Sequence, residues 1–184
     1  MLCIIGPIMS DCQSESSLPQ TLPPESTVEA QSSTTSGSTD FAARDAPVDL
    51  DEALGMLHEA TYAASARVFR AGRPDGQALA FAWVLAQPDA TRHFAGLLEA
   101  KTRAAQLYGL CGLYLTDRAL FEKVVDRFRS LDETVPFIQG CLVGDRPVSE
   151  IVSSPNQTRK DIESGSWPRD LERLALEHGY LPRR

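Results

Sequence analysis

The adjacent residues His58 and Glu59 come nearest in this chain to a catalytic motif. In the HExxH motif of metalloproteases, a second histidine one helical turn later completes a zinc site, and the glutamate acts as general base. Tyr62 stands at that position here, so the second metal ligand is missing. An enzyme with a non-standard site built on His58 and Glu59 is therefore the least favoured hypothesis.

The sequence motifs of other common active sites do not occur. There is no GxSxG nucleophile elbow, no phosphate-binding P-loop, no GxGxxG turn and no CxxC pair. We therefore predict a non-catalytic protein, with no cofactor and no metal site.

Four cysteines carry the remaining reactive groups. Cys3 and Cys12 lie near the start of the chain, which leaves Cys111 and Cys141 as a disulfide candidate if the domain folds in an oxidising compartment. Such a bridge would close a loop of about 30 residues and stabilise the fold by roughly 3–4 kcal/mol. The alternative is two free thiols that pack as small hydrophobic groups.

The segment Met9-Ser10-Asp11-Cys12 follows a short apolar run. It resembles the lipobox of bacterial lipoproteins, although Met9 stands where leucine is usual and Asp11 where glycine or alanine is usual. The resemblance covers about 12 residues. It implies lipidation at Cys12 and a membrane-anchored protein of the cell envelope, facing the periplasm or the surface. A positively charged start is missing, so either a longer signal lies upstream or the apolar run occurs by chance.

Residues 13–47 are rich in Ser, Thr, Pro and Gln and contain few large apolar side chains. Such a composition cannot bury enough surface to offset its ordering entropy, which predicts a disordered linker between residues 1–12 and a globular domain at 48–184. Residues 1–47 contain six carboxylates and one cation, Arg44, and so hold most of the net charge of −7. The domain itself is nearly neutral with scattered arginines, which argues against a nucleic-acid partner.

The segment 102–117 is the predicted centre of the domain. Its large apolar residues follow helical spacing, and Gly109 and Gly112 fall on another flank, one turn apart. A helix that is apolar on nearly every side is normally buried. Each interior glycine costs roughly 1 kcal/mol against alanine, so we expect a neighbouring backbone to approach this flank closely.

The remaining pattern predicts a mainly α fold, a small helical bundle with a short β-like arm near 134–152 that contains a Gly-Asp-Arg-Pro turn. The two helix pairs at 76–100 and 102–130 also allow a HEAT-like arrangement. The predicted elements are helices at 49–70, 75–87, 89–100, 102–117, 118–130 and 169–178, and a polar loop at 153–165.

Taken together, these features favour a surface-tethered binding or scaffolding domain of a bacterial lipoprotein. Its partner is an unknown protein, and its oligomeric state is open. The alternative is a cytosolic interaction or immunity-type protein that blocks a partner. Free Cys111 and Cys141 together with a cytosolic location would favour that alternative.

Overall fold

The computed structural model of the chain describes residues 47, 49–68, 73–155 and 161–182. All of them belong to the second of two units, Phe41–Arg184. The lipobox at 9–12 and residues 13–46 of the predicted linker therefore lie outside the described residues.

The described residues form a mixed α/β fold in which helices dominate. The sheet is four-stranded, with the order β2-β1-β3-β4. In chain order, the elements are α1 Leu50–His58, β1 Ala63–Val68, β2 Arg73–Pro74, α2 Gly76–Leu85, α3 Ala90–Leu97, α4 Arg103–Thr116, α5 Arg118–Val124, α6 Asp126–Arg129, β3 Thr134–Gly140, β4 Leu142–Pro147, α7 Val148–Val152 and α8 Ser166–Glu177.

The predicted central helix is confirmed as α4, whose residues 104–113 are all buried. Thr102 begins the helix, because its hydroxyl accepts a hydrogen bond from the backbone N–H of Ala105 at 3.2 Å. The same hydroxyl donates to the carbonyl of Ala60 at 2.6 Å, which ties the start of α4 to the segment after α1. Leu107, Leu110 and the rest of the helix interior lie in the main hydrophobic core.

The glycine flank of α4 packs against α3 as the sequence predicts. A Cβ atom at Gly109 would lie 2.9 Å from the carbonyl oxygen of Phe94, and one at Gly112 would overlap the ring of Phe94. Phe94 is completely buried and contacts the ring of Phe81, with 4.8 Å between the ring centroids. The two glycines therefore let α3 and its aromatic anchor approach the backbone of α4.

The predicted first helix at 49–70 is wrong beyond His58. The chain leaves α1 there and forms β1, which pairs antiparallel with β2 and parallel with β3. β1 is built mainly from small residues, whose helix propensity is high but whose side chains also fit a strand covered on both faces. The burial of Ala63, Ala64 and Val68 shows that tertiary packing outweighs local preference here.

The backbone of Ala64 joins the sheet to two helices. Its N–H donates to the hydroxyl of Tyr108 on α4 at 3.0 Å, and its carbonyl accepts from the indole N–H of Trp167 on α8 at 2.9 Å. The pairing of β1 with β3 shifts register between Ala64 and Val68, which marks an irregularity or bulge after Ala64.

Three further boundaries differ from the sequence prediction. The predicted helix at 118–130 is divided into α5 and α6 at Val125. The predicted β-like arm at 134–152 is confirmed as a hairpin over β3 and β4, but its last five residues form α7. The last helix begins at Ser166, three residues before the predicted start, after a turn in which Gly165 has φ 77°.

We predict that Gly112→Ala lowers the free energy of unfolding by about 1–3 kcal/mol, because the added methyl group must displace the ring of Phe94. The matched control is Gly96→Ala in α3, where nothing lies within 4 Å of the new methyl group. That control should stabilise the protein by about 0.4–1 kcal/mol. Urea unfolding followed by circular dichroism measures both, and equal effects of the two substitutions would contradict the close approach of α3 and α4.

Candidate functional site

Within the part of the chain that the structure describes, β4 of the β3–β4 hairpin forms the longer unpaired edge of the sheet. The turn consists of Gly140 and Cys141, flanked by the pair Gln139 and Leu142. Gly140 has φ 60°, which suits the first central position of a two-residue hairpin turn. The predicted Gly-Asp-Arg-Pro turn is wrong, since residues 144–147 form part of β4.

One face of the hairpin is anchored in the core. Val135 and Phe137 are buried, and the ring of Phe137 meets the indole of Trp167 edge-on at 5.4 Å. On β4, the guanidinium of Arg146 lies over the ring of Phe137, 4.9 Å from its centroid. A nitrogen of the same guanidinium donates to the carbonyl of Glu150 on α7 at 3.2 Å. The base of the hairpin is therefore held rigidly.

The tip and edge of the hairpin are exposed instead. Leu142 and Val143 are the exposed large hydrophobic residues of the described part of the chain, at 75% and 54% of their full accessible surface. A groove of about 430 Å³ runs along β4 and is also lined by Phe137 on β3 and Glu150 on α7. Successive residues of a strand point to opposite faces of the sheet, so Leu142 and Val143 expose apolar surface on both sides of the hairpin.

The backbone of β4 is also available for pairing. In a two-residue hairpin the flanking pair Gln139 and Leu142 is hydrogen-bonded, and hydrogen-bonded pairs alternate along the ladder. Pro136 lacks an N–H and falls at an unbonded position, which agrees with this assignment. The backbone groups of Val143 and Asp145 therefore point away from β3. An edge strand with such groups can accept another strand.

An ion pair lies at the base of the hairpin. Two nitrogens of Arg103 donate to the carboxylate of Glu133 at 2.7 and 2.8 Å. This hydrogen bonding, together with the positive charge, holds the pKa of Glu133 below its usual value. Both groups are exposed, so the pair positions the chain entering β3 and contributes little stability.

The disulfide predicted between Cys111 and Cys141 is not formed in the structure, since both cysteines are free. Cys111 lies on α4 and is completely buried, whereas Cys141 lies in the exposed hairpin turn. The two thiols therefore lie in different environments, one enclosed by the core and one open to solvent. This corrects the predicted bridge.

The other predicted candidates do not come together. His58 and Glu59 are both solvent-exposed at the end of α1, so the described residues form no site around them. The described residues contain no group of three His, Cys, Asp or Glu side chains arranged to hold a metal ion. Among the described helices, none combines the length and apolar character needed to cross a membrane. Cys12, the predicted lipidation site, lies outside the described residues.

The sequence prediction located the hairpin but missed its edge. Leu142 and Val143 fall within the predicted β-like arm at 134–152, but the sequence does not indicate which of its strands pairs with the rest of the sheet and which lies at the edge. The signal that would have helped is Gly140-Cys141 as a Gly-X turn, because this turn makes residues 142–147 the return strand.

No protein-family model, curated protein or solved structure matches this chain.

We predict that iodoacetamide modifies Cys141 in the native protein and modifies Cys111 only after unfolding. Burial raises the pKa of the Cys111 thiol well above its usual value, so little reactive thiolate forms, and the core also excludes the reagent. Trypsin places the two cysteines in separate peptides, so mass spectrometry reads each site independently. Recovery of the two peptides joined by a disulfide would contradict the structure.

Proposed function

We propose that this chain is a non-catalytic binding or scaffolding domain that is tethered to a membrane surface through Cys12. Its docking site is the outer edge of β4, which accepts an extended strand of a protein partner. The observation that carries this proposal is the combination, on one edge strand, of outward backbone groups and the exposed side chains of Leu142 and Val143.

The chemistry of the edge supports binding by strand addition. An added strand gains affinity from main-chain hydrogen bonds and specificity from side-chain contacts. Here the main-chain groups belong to Val143 and Asp145, while Leu142 and the groove beside Gly144 offer side-chain contacts. Because Arg146 is fixed over Phe137 and tied to α7, the edge is presented on a rigid base.

The tether is supported by the lipobox resemblance at Met9-Ser10-Asp11-Cys12 and by the Ser- and Pro-rich composition of residues 13–47. A single acyl chain binds membranes weakly, whereas the two acyl chains of a bacterial lipoprotein anchor it stably. A protein anchored in this way would lie in the cell envelope, with the docking edge available to a partner on the same surface.

The second candidate is a cytosolic interaction or immunity-type protein. The observation in its favour is that Cys111 and Cys141 are both free thiols. Free thiols are the rule in reducing compartments. The docking edge would serve this candidate equally well, so the two differ in location and not in the binding surface.

A HEAT-like arrangement of the helix pairs is the finer fold proposal. The short connection between α4 and α5, through Asp117 alone, supports it. Against it, α3 packs more extensively on α4 than on α2.

We predict that the mature protein from the membrane fraction begins at an acylated Cys12. Intact-mass and N-terminal peptide measurements should find the diacylglyceryl group on this residue, and Cys12→Ser should move the protein to the soluble fraction. An intact, unacylated N-terminus in the soluble extract would overturn the tether and favour the cytosolic candidate.

We also predict that linear decapeptides selected by phage display against the full chain bind at β4. Val143→Lys should weaken their binding at least tenfold, because an edge lysine opposes strand addition. The matched control is Ala119→Lys, an exposed substitution on α5, which should leave binding unchanged. Amide exchange at Val143 and Asp145 should slow when peptide is bound. Peptides that bind both variants equally would place the docking site elsewhere.

A further inference from the structure

The edge of β4 carries a projecting apolar side chain and, on the same face, an open space at a glycine. Leu142 projects with 75% of its surface exposed. Two residues later on the same face, Gly144 has no side chain, and nothing lies within 4 Å of the position that a Cβ atom would take. A surface that carries a projection and its matching gap is self-complementary, as the interface of a two-fold symmetric dimer must be.

We propose that β4 is an interface between two copies of this chain, which pair antiparallel about a two-fold axis at Val143. This inference rests on the docking edge proposed above for β4, and it identifies the strand that binds there as β4 of a second copy. The sheets of the two copies then join into one continuous sheet across the axis.

The hydrogen-bonding pattern permits this register. Antiparallel pairing through the free edge requires the outward residues of one strand to face outward residues of the other. With the axis at Val143, this residue faces its own equivalent and the two exchange hydrogen bonds. Asp145 then faces Cys141 of the second copy. The next unbonded pair brings Leu142 of one copy opposite Gly144 of the other.

Side-chain contacts favour the same register on both faces of the sheet. On one face, Leu142 of the second copy enters the gap above Gly144, beside the side chain of Arg146 in the groove. On the other face, Val143 lies next to Ile138 within each copy. The two-fold axis therefore generates a continuous row of four β-branched side chains, two Val143 and two Ile138, and such cross-strand pairs stabilise a sheet.

The neighbouring two-fold registers are less favourable. An axis at Asp145 would bring two carboxylates face to face, and like charges directly opposite each other destabilise a sheet. An axis at Gly144 would set each Val143 against Asp145 of the other copy. An axis at Leu142 would bring two Leu142 side chains together, but it would set Val143 against Cys141 and Gly144 against Gly140, which leaves the space at Gly144 unfilled. All three alternatives lose the Val143 row.

The interface is small. Pairing over residues 141–145 buries less surface than the roughly 1,200–2,000 Å² of a standard stable interface, so we expect a dissociation constant in the micromolar range or weaker. Anchoring two copies to one membrane would raise their local concentration and favour the dimer.

Sedimentation equilibrium of the full chain tests the proposal, with Cys3→Ser and Cys12→Ser in the background to prevent acylation and unrelated cross-links. The parent should show a concentration-dependent monomer–dimer equilibrium. Val143→Lys and Gly144→Val should each raise the dissociation constant at least tenfold. Valine suits a strand and has open space at position 144, so the second variant keeps the fold while it fills the gap. Ala119→Lys should change nothing.

Cross-linking tests the register. Val143→Cys combined with Cys141→Ser should form a disulfide-linked dimer on mild oxidation, because paired Cα atoms about 5.5 Å apart suit a disulfide. The natural Cys141 should not cross-link, since four residues at about 3.4 Å each separate it from its equivalent along the strands. Efficient cross-linking through Cys141 with none at position 143 would overturn the register.

The outcomes also separate this inference from the proposed function. A chain that stays monomeric at several hundred micromolar, yet binds selected peptides at β4, would assign the edge to another protein and overturn the dimer. A dimer that neither Val143→Lys nor Gly144→Val weakens would overturn it as well. A dimer sensitive to both substitutions, without peptide binding, would support this inference and contradict the docking of a foreign strand.

Discussion

The arrangement of sheet and helices depends on the backbone N–H and carbonyl of Ala64. A buried backbone N–H or carbonyl without a partner is costly, and at the irregularity in β1 the regular ladder is interrupted. Tyr108 and Trp167 supply the two partners from α4 and α8. Burial raises the pKa of the Tyr108 hydroxyl well above its usual value, and the charge of Asp75 raises it further. The hydroxyl therefore stays neutral and acts as a hydrogen-bonding group.

This attachment holds only one part of the sheet. β1 and the core face of β3 are fixed by helices, whereas β4 contacts mainly β3 and α7. The sheet thus has two unlike edges. The β2 edge is only two residues long and includes Pro74, which protects it from pairing, while the β4 edge is six residues long. Asp145 and Pro147 limit uncontrolled association at β4, but they leave Val143 accessible.

The parts of this fold that the sequence predicted are those with a local signal. The sequence predicts α4 because its apolar residues repeat with helical period, and its glycine flank predicts the close approach of a neighbouring backbone, which the structure shows to be that of α3. β1 was missed because Ala63, Ala64 and Ala66 carry no strand preference, so only pairing with β3 decides their conformation. The exposed edge of β4 could not be predicted for the same reason, since pairing between distant segments decides which strand lies at the edge of a sheet. The Gly-Asp-Arg-Pro segment was wrongly predicted to be a turn, because glycine, aspartate and proline favour turns. Here these residues lie in an edge strand, where proline is tolerated.

The glycines illustrate how a monomer can carry features that its own fold does not require. Gly112 is needed because the ring of Phe94 occupies the space of a side chain, and Gly140 because the hairpin turn has positive φ. Gly144 has neither constraint, and glycine within a strand costs stability. Gly96 also has open space around it, but it lies on the surface of a helix. Gly144 differs because an exposed large apolar residue, Leu142, lies two positions away on the same strand face. In the proposed dimer, Leu142 of the second copy fills the space that the missing side chain at position 144 leaves open.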